Sequence, residues 1–146
     1  DMKADPANRD VMTVEEVEVC LDHIRDLLFR HHVTGQFQMV ITVSPVPLGK
    51  TFTGDDIVVA NCNSKSTLRT AAGRFCGRHG NVHYFPSYEM VLHSGQGAAW
   101  RPDKLHVNPH MVQHVVKSFL SAYYEAGAFP RLAVFEDADN SASEGE

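Results

Sequence analysis

Phe37-Gln-Met-Val-Ile-Thr-Val43 runs directly into Ser44-Pro45-Val46-Pro47. The first seven residues are rich in β-branched side chains and almost continuously apolar, which suits a short strand buried on both faces of a parallel sheet. Proline has no N–H to give to a ladder, so the strand must stop at the Ser-Pro-Val-Pro step. Asn81-Val-His-Tyr-Phe85 repeats the pattern and is cut off in turn by Pro86.

Helical patterns lie before, between and after these runs. Thr13 and Glu16 have capping-box spacing, and Met12 and Val17 are placed to staple the same turn. Val17, Cys20, Leu21, Ile24, Leu27 and Leu28 then recur at three- and four-residue steps. This predicts a first helix through about Arg30, with Gly35 in the turn after it. A second helix is predicted from about Ser64 to His79, with Leu68, Ala71, Ala72, Phe75 and Cys76 on one face and Gly80 as its stop. The third starts at Asn108 as N-cap with Pro109 in its first position. Val112, Val115, Val116, Phe119 and Tyr123 form its buried stripe, and Gly127 ends it. A long loop separates it from the second strand.

Helices alternating with short apolar strands predict a parallel α/β chain. Two strands alone would leave unpaired sheet edges, so the expectation is the C-terminal part of a larger α/β domain. A first residue of Asp1 rather than Met agrees with it. Residues 11–127 are expected to form that part. A flexible segment at 1–10 and an acidic, disordered tail at 128–146 are expected to flank it.

Composition narrows the function. The chain has 146 residues, 43% of them hydrophobic, enough for one modest core. No window approaches the roughly 18 consecutive apolar residues of a membrane span. No basic start followed by an apolar run is present, so a signal peptide is expected to be absent or to lie outside these 146 residues. Cys20, Cys62 and Cys76 show no CxxC spacing, which argues against a disulfide scaffold or a zinc knuckle. A reducing, cytoplasmic setting follows as an expectation. Of 18 acidic residues, five lie in the last eleven positions, leaving 13 against 13 basic ones elsewhere. The folded part is therefore neutral, and nucleic acid is excluded as a partner on charge grounds.

The segment richest in chemistry is Arg101-Pro-Asp-Lys-Leu-His106-Val-Asn-Pro109. Asp103 and His106 form a D-x-x-H pair just ahead of a well-capped helix. At this spacing the carboxylate reaches a ring nitrogen, fixes the tautomer and leaves the other nitrogen as a general base for a hydroxyl nucleophile. The plainer alternative is an Asp that caps a turn beside a surface histidine.

The surrounding blocks favour the chemical reading. Thr42-Val-Ser-Pro-Val-Pro-Leu48, Ala60-Asn-Cys-Asn-Ser-Lys-Ser-Thr-Leu-Arg69, Tyr84-Phe-Pro-Ser-Tyr-Glu89 and His106 before the Asn108-Pro109 helix start follow one another in order. This series resembles the signature blocks of the GSCFA-domain family, a branch of the SGNH hydrolases, over roughly Val11 to Tyr124. The resemblance implies a three-layer α/β/α flavodoxin-like sandwich and a serine hydrolase or acyltransferase site acting on an ester, for instance an O-acylated carbohydrate. It implies His106 as the catalytic base and Asp103 as the acid that orients it. The family's opening Gly-Ser-Cys motif, with the serine nucleophile and the oxyanion donors it implies, does not occur in the 146 residues, nor does a G-x-S-x-G elbow. The chain alone is therefore expected to be inactive.

Asn61, Ser64, Lys65 and Arg69 make a polar cluster at the expected start of the second helix. Lys65 and Arg69, one turn apart, either frame the substrate cleft and hold an anionic group or belong to a capped, solvated face. Ser44 and Ser87 sit at strand ends, where an open α/β sheet binds its ligand, though turn formation is their plainer role. Tyr88 and Glu89 are read as turn or core residues before cleft residues. His110 and His114 fall on the water side of the third helix, so no metal site is expected, and no cofactor either. His31 and His32 suit the carbonyl end of the first helix. Cys62 has no paired base in sequence, which argues against a thiol nucleophile. The alternative to a hydrolase is a non-catalytic α/β module for binding or assembly. A nucleotide site has little support without G-x-G-x-x-G or G-x-x-x-x-G-K.

Overall fold

The computed structural model describes residues 11–31 and 37–124. They run α1 (Val14–His31), β1 (Met39–Ile41), α2 (Ile57–Arg78), β2 (Val82–Tyr84), α3 (Ser87–Leu92), α4 (Gln96–Ala99) and α5 (Pro109–Tyr123). The chain is α/β. β1 and β2 pair in parallel, with Met39 opposite Val82, Val40 opposite His83 and Ile41 opposite Tyr84. Met39 N–H donates to the Asn81 carbonyl and Phe85 N–H to that of Ile41, both at 2.8 Å, so the ladder continues past each end. The expected flexible ends, the turn at Gly35, the helix stop at Gly127 and His32 lie outside the described residues.

The capping box forms as predicted. Glu16 N–H donates to Thr13 Oγ1 at 3.2 Å, and Thr13 N–H donates back to Glu16 Oε2 at 2.8 Å. The second helix starts earlier than expected, at Ile57 instead of Ser64. Asp56 caps it by accepting Val58 N–H at 2.8 Å, which overrides the weak helix preference of Ile57-Val58-Val59. The expected long loop carries two short helices, α3 and α4. β1 is shorter than its apolar run and only half-buried, not enclosed on both faces. β2 is its one strand neighbour among the described residues, so no strand pairs with its other edge there.

Ala71, Ala72 and Phe75 of α2 are buried with Val82 of β2. Tyr84 lies under Arg69 of α2, whereas Phe85 meets Phe119 of α5 edge-on at 5.3 Å. Successive strand side chains alternate, so α2 and α5 contact opposite sides of β2. Val91, Ala99 and Met111 close a second cluster between α3, α4 and α5, with Trp100 and Val107 against it. On α5 it is Met111 that is buried, while Val112 is 44% exposed, so the stripe is rotated from the predicted one.

Candidate functional site

The segments leaving both strands meet. Thr42, just after β1, and Ser87, at the start of α3, bring their hydroxyl oxygens to 2.5 Å. Ser87 also donates to the Val43 carbonyl at 3.3 Å, so Thr42 must be the donor between the two hydroxyls. Ser87 is buried, and its single proton is committed to backbone. It acts as a strut tying α3 to the end of β1.

Beside that strut lies an open cavity of about 380 Å³. Pro45 and Val46 line it from the segment after β1, Ser87 from the start of α3, Arg101 and His106 from the segment before α5, and Val112, Val115 and Val116 from α5. Val112, Val115 and Val116 of the predicted buried stripe thus form a cleft wall, and Val115 also packs against the core cluster. The site sits at the carboxyl ends of both strands, where open α/β sheets bind ligands.

His106 reaches it from a pinned hairpin. Trp100 and Val107 form an antiparallel bridge, Arg101 N–H donates to the His106 carbonyl at 2.9 Å, and Asn108 N–H donates to that of Ala99 at 2.8 Å. Asn108 then caps α5 by accepting from His110 N–H, with Pro109 in the first turn. Inside the hairpin Lys104 takes φ 57°, a left-handed conformation that is costly for a lysine.

This turn wraps backbone around Asp103. Its Oδ1 accepts Leu105 N–H at 2.9 Å and His106 N–H at 3.0 Å, and its Oδ2 lies 2.7 Å from His106 Nδ1. The His106 amide, then the Leu105 amide and the His106 ring, lower the Asp103 carboxyl to about 2. An ionised carboxylate is acceptor-only, so Nδ1 must donate and Nε2 of the neutral ring is left as the basic nitrogen. The His106 side chain is 69% exposed, open to a reacting group.

The polar cluster of the second helix is placed differently. Asn61, Ser64, Lys65 and Arg69 lie inside α2, not at its start, because Asp56 is the N-cap. Asn61 Oδ1 accepts Leu48 N–H at 3.0 Å, and Ser64 lines a separate cavity with Ala60 and Asn63. Lys65 is 6% exposed, so it is not on a solvated face, and burial lowers its pKa. Arg69 Nε contacts Glu89 Oε1 at 2.6 Å, with its guanidinium 4.1 Å over the Tyr84 ring. Tyr84 donates to Glu89 Oε2 at 2.9 Å. Burial, and then Glu89, push the Tyr84 hydroxyl up to about 12. Burial raises Glu89, but the bonds from Arg69 and Tyr84 outweigh it and hold the carboxyl below its ordinary value. None of the four α2 residues lines the cavity that holds His106.

His110 and His114 are exposed. Among the described residues no three His, Cys, Asp or Glu side chains converge as metal ligands. Cys20, Cys62 and Cys76 are unpaired. No described helix is long and apolar enough to cross a membrane. Arg101 is a cavity residue that sequence spacing does not mark, since its place depends on the hairpin closing.

Fold and site together define a parallel α/β protein with a carboxylate–imidazole pair at its strand ends. Residues 4–119 match the GSCFA family, and the chain belongs to that family. No curated protein and no solved structure matches it.

Proposed function

We propose that this chain supplies the acid–base half of an SGNH-type serine hydrolase or acyltransferase acting on an ester. His106 is the general base and later the general acid, and Asp103 orients it and stabilises the imidazolium. The observation that carries the reading is the 2.7 Å bond from His106 Nδ1 to an Asp103 carboxylate already held by two backbone amides. The strand-end cavity beside His106 and membership of the GSCFA family support it.

In this reading the serine and the oxyanion donors belong to the family's opening block, which these 146 residues do not contain. β1 and β2 are then two strands of a wider parallel sheet in a three-layer α/β/α sandwich. The half-buried β1 and the contacts of α2 and α5 on opposite sides of β2 support that arrangement. Three unpaired cysteines fit a cytoplasmic location.

Short-chain acyl-ester turnover tests the reading. The 146-residue chain alone should show none, whereas the protein carrying the family's opening block should turn the ester over. There His106→Ala should lower turnover by about 10³-fold or more. Asp103→Asn should also impair it, with KM largely spared, because it disturbs the tautomer and not the binding surface. Full activity in a folded His106→Ala protein would remove the base and the hydrolase reading with it.

A further inference from the structure

The hairpin carrying Asp103 and His106 separates two cavities. His106 lines the one at the strand ends. Gln96, Trp100, Lys104 and Asn108 line a second, of about 500 Å³, and Arg101 borders both. The proposed hydrolase chemistry makes no use of this second space.

Its lining is chemically selective. Trp100 packs against the Val91–Ala99–Met111 cluster and lines the cavity, giving it an aromatic surface. Gln96 brings an amide that donates and accepts. Asn108 Oδ1 is used in capping α5, which leaves its amide N–H groups free to donate. Arg101 and Lys104 add two cations, and the lining contains no carboxylate. Neither side chain forms an ion pair among the described residues, and the nearby Asp103 is committed to the hairpin and His106. Lys104 is also the one non-glycine residue with positive φ among the described residues. Backbone cost of this kind, in a residue lining a cavity, is a mark of ligand sites.

We propose that this cavity binds an anion-bearing sugar ring of the uronate type. The ring stacks on Trp100, its carboxylate lies between Arg101 and Lys104, and its hydroxyls bond Gln96 and Asn108. The proposal rests on the hydrolase reading only in making that ring part of the ester that His106 acts upon. Binding itself stands on the cavity.

Trp100 is the only tryptophan in the chain, so its emission reports on the site directly. The 146-residue chain is titrated with glucuronate and with glucose at matched ionic strength. Glucuronate should give a saturable change, and glucose should bind at least about tenfold more weakly. Arg101→Gln and Lys104→Gln should each weaken glucuronate about tenfold and leave glucose unchanged. Both side chains are exposed, and circular dichroism checks that the variants fold. No saturable response to glucuronate, equal affinity for the two sugars, or full glucuronate affinity in the Arg101→Gln/Lys104→Gln double variant would overturn the site. Binding as expected beside a failed ester test would leave this site standing and remove only the hydrolase reading.

Discussion

Asp103 holds its loop through charge as much as through shape. Its folded pKa of about 2 lies below the ordinary 3.8 because the amides of His106 and Leu105, and then the His106 ring, bond the ionised form. A depressed carboxylate pKa favours the folded loop above the unfolded value, and that contribution is lost as pH falls through about 2. The Asp103 carboxyl carbon should therefore titrate near 2 by NMR, with the Leu105 and His106 amide signals moving at the same midpoint. A midpoint at 3.8 would mean that the bonds are not held in solution. This part of the site was legible in the sequence because D-x-x-H is local, and three residues of spacing suffice to bring carboxylate and ring together. Ser87 reads in the sequence as a strand-end residue, and its commitment to Thr42 and Val43 depends on strand pairing across more than forty residues, which spacing cannot show. Arg69 could equally have faced a ligand, and only the fold of β2 and α3 presents Glu89 to it.

At the scale of elements, α1 is held on α2 in an unusual way. Its apolar stripe does little of the work, since Val17 is its one buried residue. Ion pairs and a histidine–carboxylate bond add to it. Arg74 reaches Glu15 at 3.1 Å, Arg78 reaches Glu18 at 2.7 Å and Asp22 at 3.0 Å, and His79 meets Asp22 at 2.8 Å. Pairs as exposed as Arg74–Glu15 contribute about 0–1 kcal/mol each and are screened by salt. Raising NaCl from about 0.1 M to about 1 M shortens the Debye length from about 10 Å to about 3 Å. Hydrogen exchange of the α1 amides should then quicken, while α2, anchored by fully buried Ala71 and Phe75, should change little. Unchanged α1 exchange would show that apolar contact, not charge, holds this helix. The periodicity of α1 was legible and so was its capping box. Its orientation was not, because the same stripe serves a core or an open face equally well. The start of α2 was hidden for a different reason. Ile57, Val58 and Val59 are β-branched and weak helix formers, and a single Asp56 cap is weak evidence beside them.

At the scale of the whole molecule, the described residues leave several large apolar side chains open to solvent. Ile24, Leu27 and Leu28 on α1 are 45%, 39% and 39% exposed, and Val58 and Val59 on α2 are 71% and 58% exposed. β1 is half-buried beside its one described partner. The wider sheet proposed above would account for this surface, since additional strands need apolar helix faces to rest upon. That gives a test of architecture independent of catalysis. The 146-residue chain alone should bind the apolar dye ANS, which reports exposed hydrophobic surface. The protein carrying the family's opening block should bind less dye, and the amides around Ile24 and Leu28 should exchange more slowly in it. Far-ultraviolet circular dichroism separates this outcome from simple unfolding, because the helices of the chain alone should already be present. Equal dye binding by both proteins, with the 24–28 amides equally fast, would show that the opening block does not cover these faces. The three-layer arrangement would then fail, whatever became of the Asp103–His106 pair.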